Sequence, residues 1–224
     1  MLPRILEPEV MDSAEEAIDY DEMDHSQVNR LFADDLLALC PAPAAGMTRQ
    51  VLDVGTGTAQ IPIEIGCRRA DLKITAVDLA AHMLQLAQRN VIRENLSGQI
   101  KLEQVDAKGL PYPNATFDVV ISNSIVHHIP EPRTVIREMV RVLRPKGTLF
   151  VRDLLRPPDI ATLDRLVATY AGEANDHQRK MFRESLHAAL TLDEARELLR
   201  DAGLPADRVT QTSDRHWTIA SQQV

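Results

Sequence analysis

Residues 50–60 read QVLDVGTGTAQ, a short apolar run that closes on an acid, a valine and two glycines. Such a run, ending in residues that permit a tight turn, is the mark of a buried strand. Gly55 and Gly57 have no Cβ, so a ligand can come close to the backbone there. A helix is expected next, from about Gln60 to Arg69.

The same alternation continues outward from this stretch. Lys73 to Val77 reads as a second strand, closed by Asp78. Met83 to Asn95 reads as a helix with Met83, Leu84, Leu86, Ala87 and Val91 facing inward. Gln99 to Val105 is a third strand, closed by Asp106, and AKGLPYPNAT (107–116) is a loop. Phe117 to Ser122 is a fourth strand. Arg133 to Leu143 is a helix with Val135, Ile136, Met139, Val140 and Leu143 on its apolar face. Arg144 to Gly147 should stop it, because proline cannot continue a helix and glycine permits a left-handed turn. Thr148 to Val151 is a fifth strand. Strands alternating with amphipathic helices imply parallel βαβ units under helices on both faces.

On the N-terminal side, Ser13 and Glu16 fit a capping box. A second helix should start at Ser26, with Val28, Leu31, Phe32, Leu36 and Leu39 on one face, and end before PAPAAG (41–46). Beyond residue 155, two charged helical stretches are expected over roughly 159–190. Thr191 to Glu194 caps a further helix that Gly203 ends. Val209 to Thr212 and Trp217 to Ala220 read as closing strands. The expected organisation is a helical cap or lid over 1–45 and a domain over 46–224. Within that domain the core is 48–155, and the C-terminal helices and closing strands occupy 156–224.

The chain has 224 residues, 44% of them hydrophobic, and a formal net charge of -8. That length suits one α/β domain. An acidic chain lacks the broad basic footprint that draws proteins to nucleic acid. Cys40 and Cys67 make no CxxC pair and read as buried or semi-buried free thiols. The N-terminus lacks the basic-then-apolar order of a secretory signal, and no apolar stretch reaches membrane-span length. A cytoplasmic protein is therefore expected. No HExxH-type spacing is present, so no metal is expected.

Acids or glycines stand at three successive strand ends: Asp53 with Gly55 and Gly57, then Asp78, then Asp106. Open parallel sheets bind ligands outside the carboxyl ends of their strands. A carboxylate at the second strand end can accept two hydrogen bonds from a ribose diol, and one at the third can take an adenine amine. A single Gly-x-Gly can be only a turn and a single acid only a helix cap. Three in order describe an adenosine-shaped site.

These segments resemble the class I S-adenosylmethionine-dependent methyltransferases. VLDVGTGTAQIPIEI is similar to the family's first motif and ITAVDLAAHMLQLA to its second strand. VDAKGLPYPNATFDVVISNSIVHHI is similar to its third and fourth strand region, and VLRPKGTLFV to the approach to strand five. The resemblance implies a seven-stranded, mostly parallel Rossmann-like sheet with one antiparallel strand at the C-terminal end, and an N-terminal helical lid. It implies S-adenosyl-L-methionine as cofactor. Asp53, Gly55, Thr56 and Gly57 would lie at its methionine end, and Asp78 on the ribose with Leu79 against the adenine. Asp106 and Ala107 would meet the adenine edge, and Ser122 or Asn123 would sit beside the methionine group. Met83 would complete the pocket, and Tyr20 and Met23 could reach it from the lid. A nicotinamide dehydrogenase would want a third glycine where Gln60 stands.

Methyl transfer is an in-line displacement in which alignment supplies much of the acceleration. A base is needed only where the acceptor loses a proton. His127 and His128, after strand four, are candidates to orient or deprotonate the acceptor. The alternative is that His128 packs under the loop while His127 caps or faces solvent. Asp153 is a second candidate, or else a turn residue. His177, Arg179, Arg183 and His187 could line an anionic acceptor pocket or form a solvated face. Trp217 closes a core edge more readily than it stacks on a substrate. The expected function is methyl transfer to a small-molecule acceptor by a monomer or homodimer, without nucleic acid or membrane partners. A non-catalytic cofactor-binding regulator and an RNA or protein methyltransferase are the alternatives.

Overall fold

The computed structural model describes residues 1–8 and 12–222. Two helices, α1 (Ala14–Glu22) and α2 (Ser26–Leu39), precede the alternating core. The core runs β1 (Arg49–Val54), α3 (Gln60–Arg68), β2 (Leu72–Asp78), α4 (Ala81–Arg93), β3 (Ile100–Gln104), β4 (Phe117–Asn123), α5 (Pro132–Val142) and β5 (Leu143–Leu154). Then come α6 (Ile160–Tyr170), α7 (Asp176–Ala188), α8 (Leu192–Asp201), β6 (Val209–Gln211) and β7 (His216–Gln222).

The seven strands form one sheet in the order β3-β2-β1-β4-β5-β7-β6. Strands β1 to β5 are mutually parallel, and β7 runs antiparallel between β5 and β6. The order reverses at β1, which places a crevice at the carboxyl ends of β1, β2 and β4. The sheet ends on β3 (five residues) at one edge and β6 (three residues) at the other. Lys101 and Gln104 of β3 and Thr210 and Gln211 of β6 are exposed.

Side-chain alternation sorts the core into two layers. Leu52, Val54, Val120, Leu149 and Val151 pack with α5, α8, Trp217 and Ile219 on one face. Val51, Val119, Ile121 and Phe150 pack with α2, α3 and α4 on the other. Phe32 of α2 meets Phe150 edge-on with ring centroids 4.9 Å apart, a geometry worth about 0.5–1.5 kcal/mol beyond area burial. Arg152 lies 5.4 Å from the Phe150 ring centroid and pairs with Asp35 at 2.5 Å. Trp217 is fully buried in the first layer, as its core-edge reading expects.

Several expectations are corrected. Arg144 to Gly147 does not separate α5 from β5: the strand begins at Leu143, and an irregularity in its pairing with β4 absorbs the Pro and Gly. Leu31 is 51% exposed, because α2 buries Asn29, Phe32, Ala33 and Leu36 instead. Cys40 is buried but Cys67, in the last turn of α3, is exposed. The capping boxes at Ser13 and Thr191 are both formed. Among the described residues no helix is long and apolar enough to cross a membrane.

Residues 1–8 form no helix or strand. They lie as a strap over the loop after β4 and over α7. Ile5 N–H donates to His187 O at 3.1 Å. Arg4 donates to Ala188 O at 2.7 Å and to His127 O and Ile129 O at 3.0 Å each.

Candidate cofactor and acceptor site

A cleft opens at the strand tips, with about 810 Å³ of empty space including its mouth. Tyr20, Gly55, Gly57, Asp78, Leu79, Met83, Asp106, Ala107, Asn123 and His128 all line it. Asp53 and Thr56 line a smaller adjoining recess with Tyr20, Gly55 and Asn123.

Turn geometry explains the two glycines. Gly55 has φ +75° and Gly57 φ +55°. A Cβ on Gly55 would collide with the Ile125 side chain, so the loop after β4 closes on bare backbone there. Gly57 N–H donates to Asp78 Oδ2 at 2.7 Å, and Ala80 N–H donates to Oδ1 at 2.9 Å. Each carboxylate oxygen retains acceptor capacity for a ligand hydroxyl. Burial raises the pKa of Asp78 despite these bonds.

Asp53 is 3% exposed. Burial, with like-charge repulsion from Asp78 adding to it, pushes its carboxyl up to about 7. Burial and the fields of Asp78 and Asp53 push the Tyr20 phenol up to about 12, so Tyr20 stays a proton donor. Leu79 is 37% exposed, an apolar shelf at the rim. Asp106 is half-exposed, accepts Lys108 N–H at 2.9 Å and stands 3.5 Å from Lys108 Nζ.

Helix α1 walls the cleft through polar contacts. Asn90 Nδ2 donates to Asp21 Oδ1 at 3.0 Å and to Thr58 O at 3.1 Å. Gln60, where a dinucleotide fold would have glycine, reaches Asp21 Oδ1 at 3.3 Å and accepts from Asn29 at 3.0 Å. Its side chain therefore ties the two N-terminal helices to the first turn.

Other expected residues lie elsewhere. Ser122 is fully buried and donates to Val54 O at 2.8 Å; its neighbour Asn123 takes the cleft-facing position, as strand alternation requires. Met23 caps α1 and does not line the cleft. His177 pairs with Asp19 at 2.7 Å, Arg183 with Asp164 at 2.5 Å and Arg179 with Asp176. Each of these three helix α7 residues thus pairs with a different carboxylate, and none of them lines the cleft.

The two histidines reverse their expected packing. His127 is 2% exposed and presents Nδ1 to Asp153 Oδ1 at 2.5 Å, while His128 lines the cleft. Asp153 is fully buried and does not reach the cleft. It accepts Val126 N–H and Leu154 N–H at 2.6 Å each, which fixes the 3₁₀ turn Val126–His128 against β5. Burial opposes charge on both partners, but their mutual attraction prevails, raising His127 and lowering Asp153. Burial and the neighbouring His127 push His128 down to about 3.

Sequence reasoning missed Ser124 and Ile125, which also line the cleft. Ser124 has φ +57°, a strained conformation for a residue with a side chain, and its N–H donates to Arg152 O at 2.9 Å. Nothing in its residue type signals that geometry.

A family model for a methyltransferase domain matches residues 52–151. Over 193 residues the chain is 31% identical to 27-O-demethylrifamycin SV methyltransferase of Amycolatopsis mediterranei, covering 85% of this chain and 66% of that protein. It is 37% identical over 109 residues to demethylmenaquinone methyltransferase of Deinococcus radiodurans, covering 49% of this chain and 44% of that one. The chain thus spans less than two thirds of these relatives' lengths. A crystal structure of an S-adenosylmethionine-dependent methyltransferase from Aquifex aeolicus superposes with TM-score 0.68 at 19% identity, covering 95% of this chain and 99% of that one. At that identity the likeness is one of fold.

Proposed function

Since the chain belongs to the class I S-adenosylmethionine-dependent methyltransferases, we propose that it transfers a methyl group from S-adenosylmethionine to a small-molecule acceptor in the strand-tip cleft. The observation that carries this reading is the coupled pair of tips, Asp78 bonded to Gly57 beside buried Asp53. Asp78 would hold the ribose diol, Leu79 and Met83 the adenine faces, and Asp106 with Ala107 its edge. The acidic recess of Asp53 suits the cationic methionine end, with Gly55, Thr56, Tyr20 and Asn123 around it. The lid role expected of residues 1–45 falls mainly on α1 and the strap, because α2 is built into the sheet layer.

A hydroxyl acceptor is the first choice. It is favoured by the rifamycin relative, named for a 27-O-demethyl substrate, which aligns over most of the chain. His128, which lines the cleft, is a weak base in its buried setting, so its part is to orient the acceptor rather than deprotonate it. His127 and Asp153 act by holding the turn that carries it. The test is calorimetry with S-adenosylhomocysteine, followed by transfer of labelled methyl to a panel of phenols and macrocyclic alcohols. Heat of binding and labelled ether products support the reading. Absence of binding with retained nicotinamide nucleotide affinity overturns it.

A further inference from the structure

Behind the cleft, three side chains from two distant segments meet. Glu7 Oε1 of the strap lies 3.4 Å from His127 Nε2 and 3.1 Å from His128 Nδ1. The three potential ligand atoms all lie within 4.8 Å of one another. Their side chains are 10%, 3% and 16% exposed.

Among the described residues, neither Glu7 Oε1 nor His128 Nδ1 has a hydrogen-bond partner of good geometry. A buried carboxylate oxygen without a donor is costly. Each of two flanking groups is meanwhile held from behind. His127 Nδ1 is engaged by Asp153, which leaves Nε2 to present its lone pair once that nitrogen is deprotonated. Glu7 Oε2 accepts from Ser185 Oγ at 3.2 Å, which aims Oε1 at the histidines. The two imidazole rings stand 4.2 Å apart at 33°.

Two imidazole nitrogens and one carboxylate oxygen form a donor set that suits a divalent transition metal and disfavours Mg²⁺ or Ca²⁺. Tetrahedral coordination with bonds of about 2.0–2.1 Å separates ligand atoms by about 3.3 Å. The separations of 3.4 and 3.1 Å to Glu7 bracket that value. We propose that Glu7, His127 and His128 form a binding site for one divalent transition-metal ion of the Zn²⁺ type, with Asp153 and Ser185 orienting its ligands. Because Glu7 belongs to the strap, the ion would clip residues 1–8 onto the turn that lines the cleft. Any catalytic consequence rests on the methyl-transfer reading; binding of the ion does not.

The test uses full-length, tag-free protein, stripped with a chelator and titrated with Zn²⁺ by calorimetry and with Co²⁺ by visible absorption. One ion per chain and a tetrahedral Co²⁺ spectrum are expected. Glu7→Gln and His128→Ala should each weaken Zn²⁺ binding at least about tenfold, and Asp153→Asn about 10–100-fold. Undiminished S-adenosylhomocysteine binding by Glu7→Gln shows that the fold survives the substitution. No uptake by the wild-type chain, or equal uptake by Glu7→Gln and wild type, overturns the proposal. Metal uptake without methyl transfer would leave the site standing and remove the activity reading instead.

Discussion

The Asp78 carboxylate accepts the Gly57 amide at 2.7 Å, so the tips of β2 and β1 are joined before any ligand arrives. The site is preorganised by the same group that is proposed to hold the ribose. Asp78→Ala removes both roles. Loss of a charge-assisted hydrogen bond costs about 1.5–3 kcal/mol, so affinity for S-adenosylhomocysteine should fall by roughly ten- to a hundredfold or more. Calorimetry on a variant with an unchanged far-ultraviolet spectrum checks this.

Gly55 is where bulk is least tolerable. Gly55→Ala adds a methyl group to a left-handed turn and drives it into Ile125. A loss of about 1–3 kcal/mol in unfolding free energy is expected from backbone strain alone, and more from overpacking. The double variant Gly55→Ala/Ile125→Ala should recover only the steric part. Urea denaturation of all three proteins measures it, and full recovery would assign the whole cost to the side-chain clash.

The Asp53 carboxyl, near 7 in the ligand-free fold, stays protonated well above the range of an ordinary aspartate. Between its unfolded pKa and about 7 the folded chain holds more protons than the unfolded one, so ligand-free stability falls as pH rises. A cationic ligand favours the ionised form. Affinity for S-adenosylmethionine should therefore increase as pH climbs through about 6 to 8, with proton release on binding. Calorimetry in buffers of different ionisation enthalpy reads that release, and Asp53→Asn should flatten the profile.

Arg4 donates to the carbonyls of His127, Ile129 and Ala188. Arg4→Ala should free the strap and leave those carbonyls without their donor. Amide hydrogen exchange at Val126 to Ile129 should rise by about ten- to a hundredfold, following a local loss of about 1.4–2.8 kcal/mol, while exchange in β1 stays unchanged. Unaltered exchange around His127 would show that Asp153 alone holds the turn.

The sheet was legible because β1, β2 and β4 and the second half of β5 are compact apolar runs and each intervening helix carries an apolar stripe. The acids at strand ends were legible for the same reason: once a strand is placed, its tip is placed. What failed was information about facing. Ser122 and Asn123 are both polar, and only the phase of strand alternation decides which enters the cleft. His127 and His128 are identical as residue types, so their roles depend on Asp153, which lies 26 residues from His127 in sequence. Glu7 stood in a segment with no periodicity, and its partners come from a turn more than a hundred positions away. β5 is longer than expected because Leu143 already pairs with Phe117, so the turn at Arg144 to Gly147, where Lys146 has φ +63°, becomes an irregularity within the strand.

The narrow margins of the sheet carry a separate consequence. A three-residue strand on one side and a five-residue strand with an outward lysine on the other offer incoming chains little unsatisfied backbone to template on. Intermolecular strand addition, the common route from native sheet to fibril, is thus discouraged by brevity at β6 and by charge at β3.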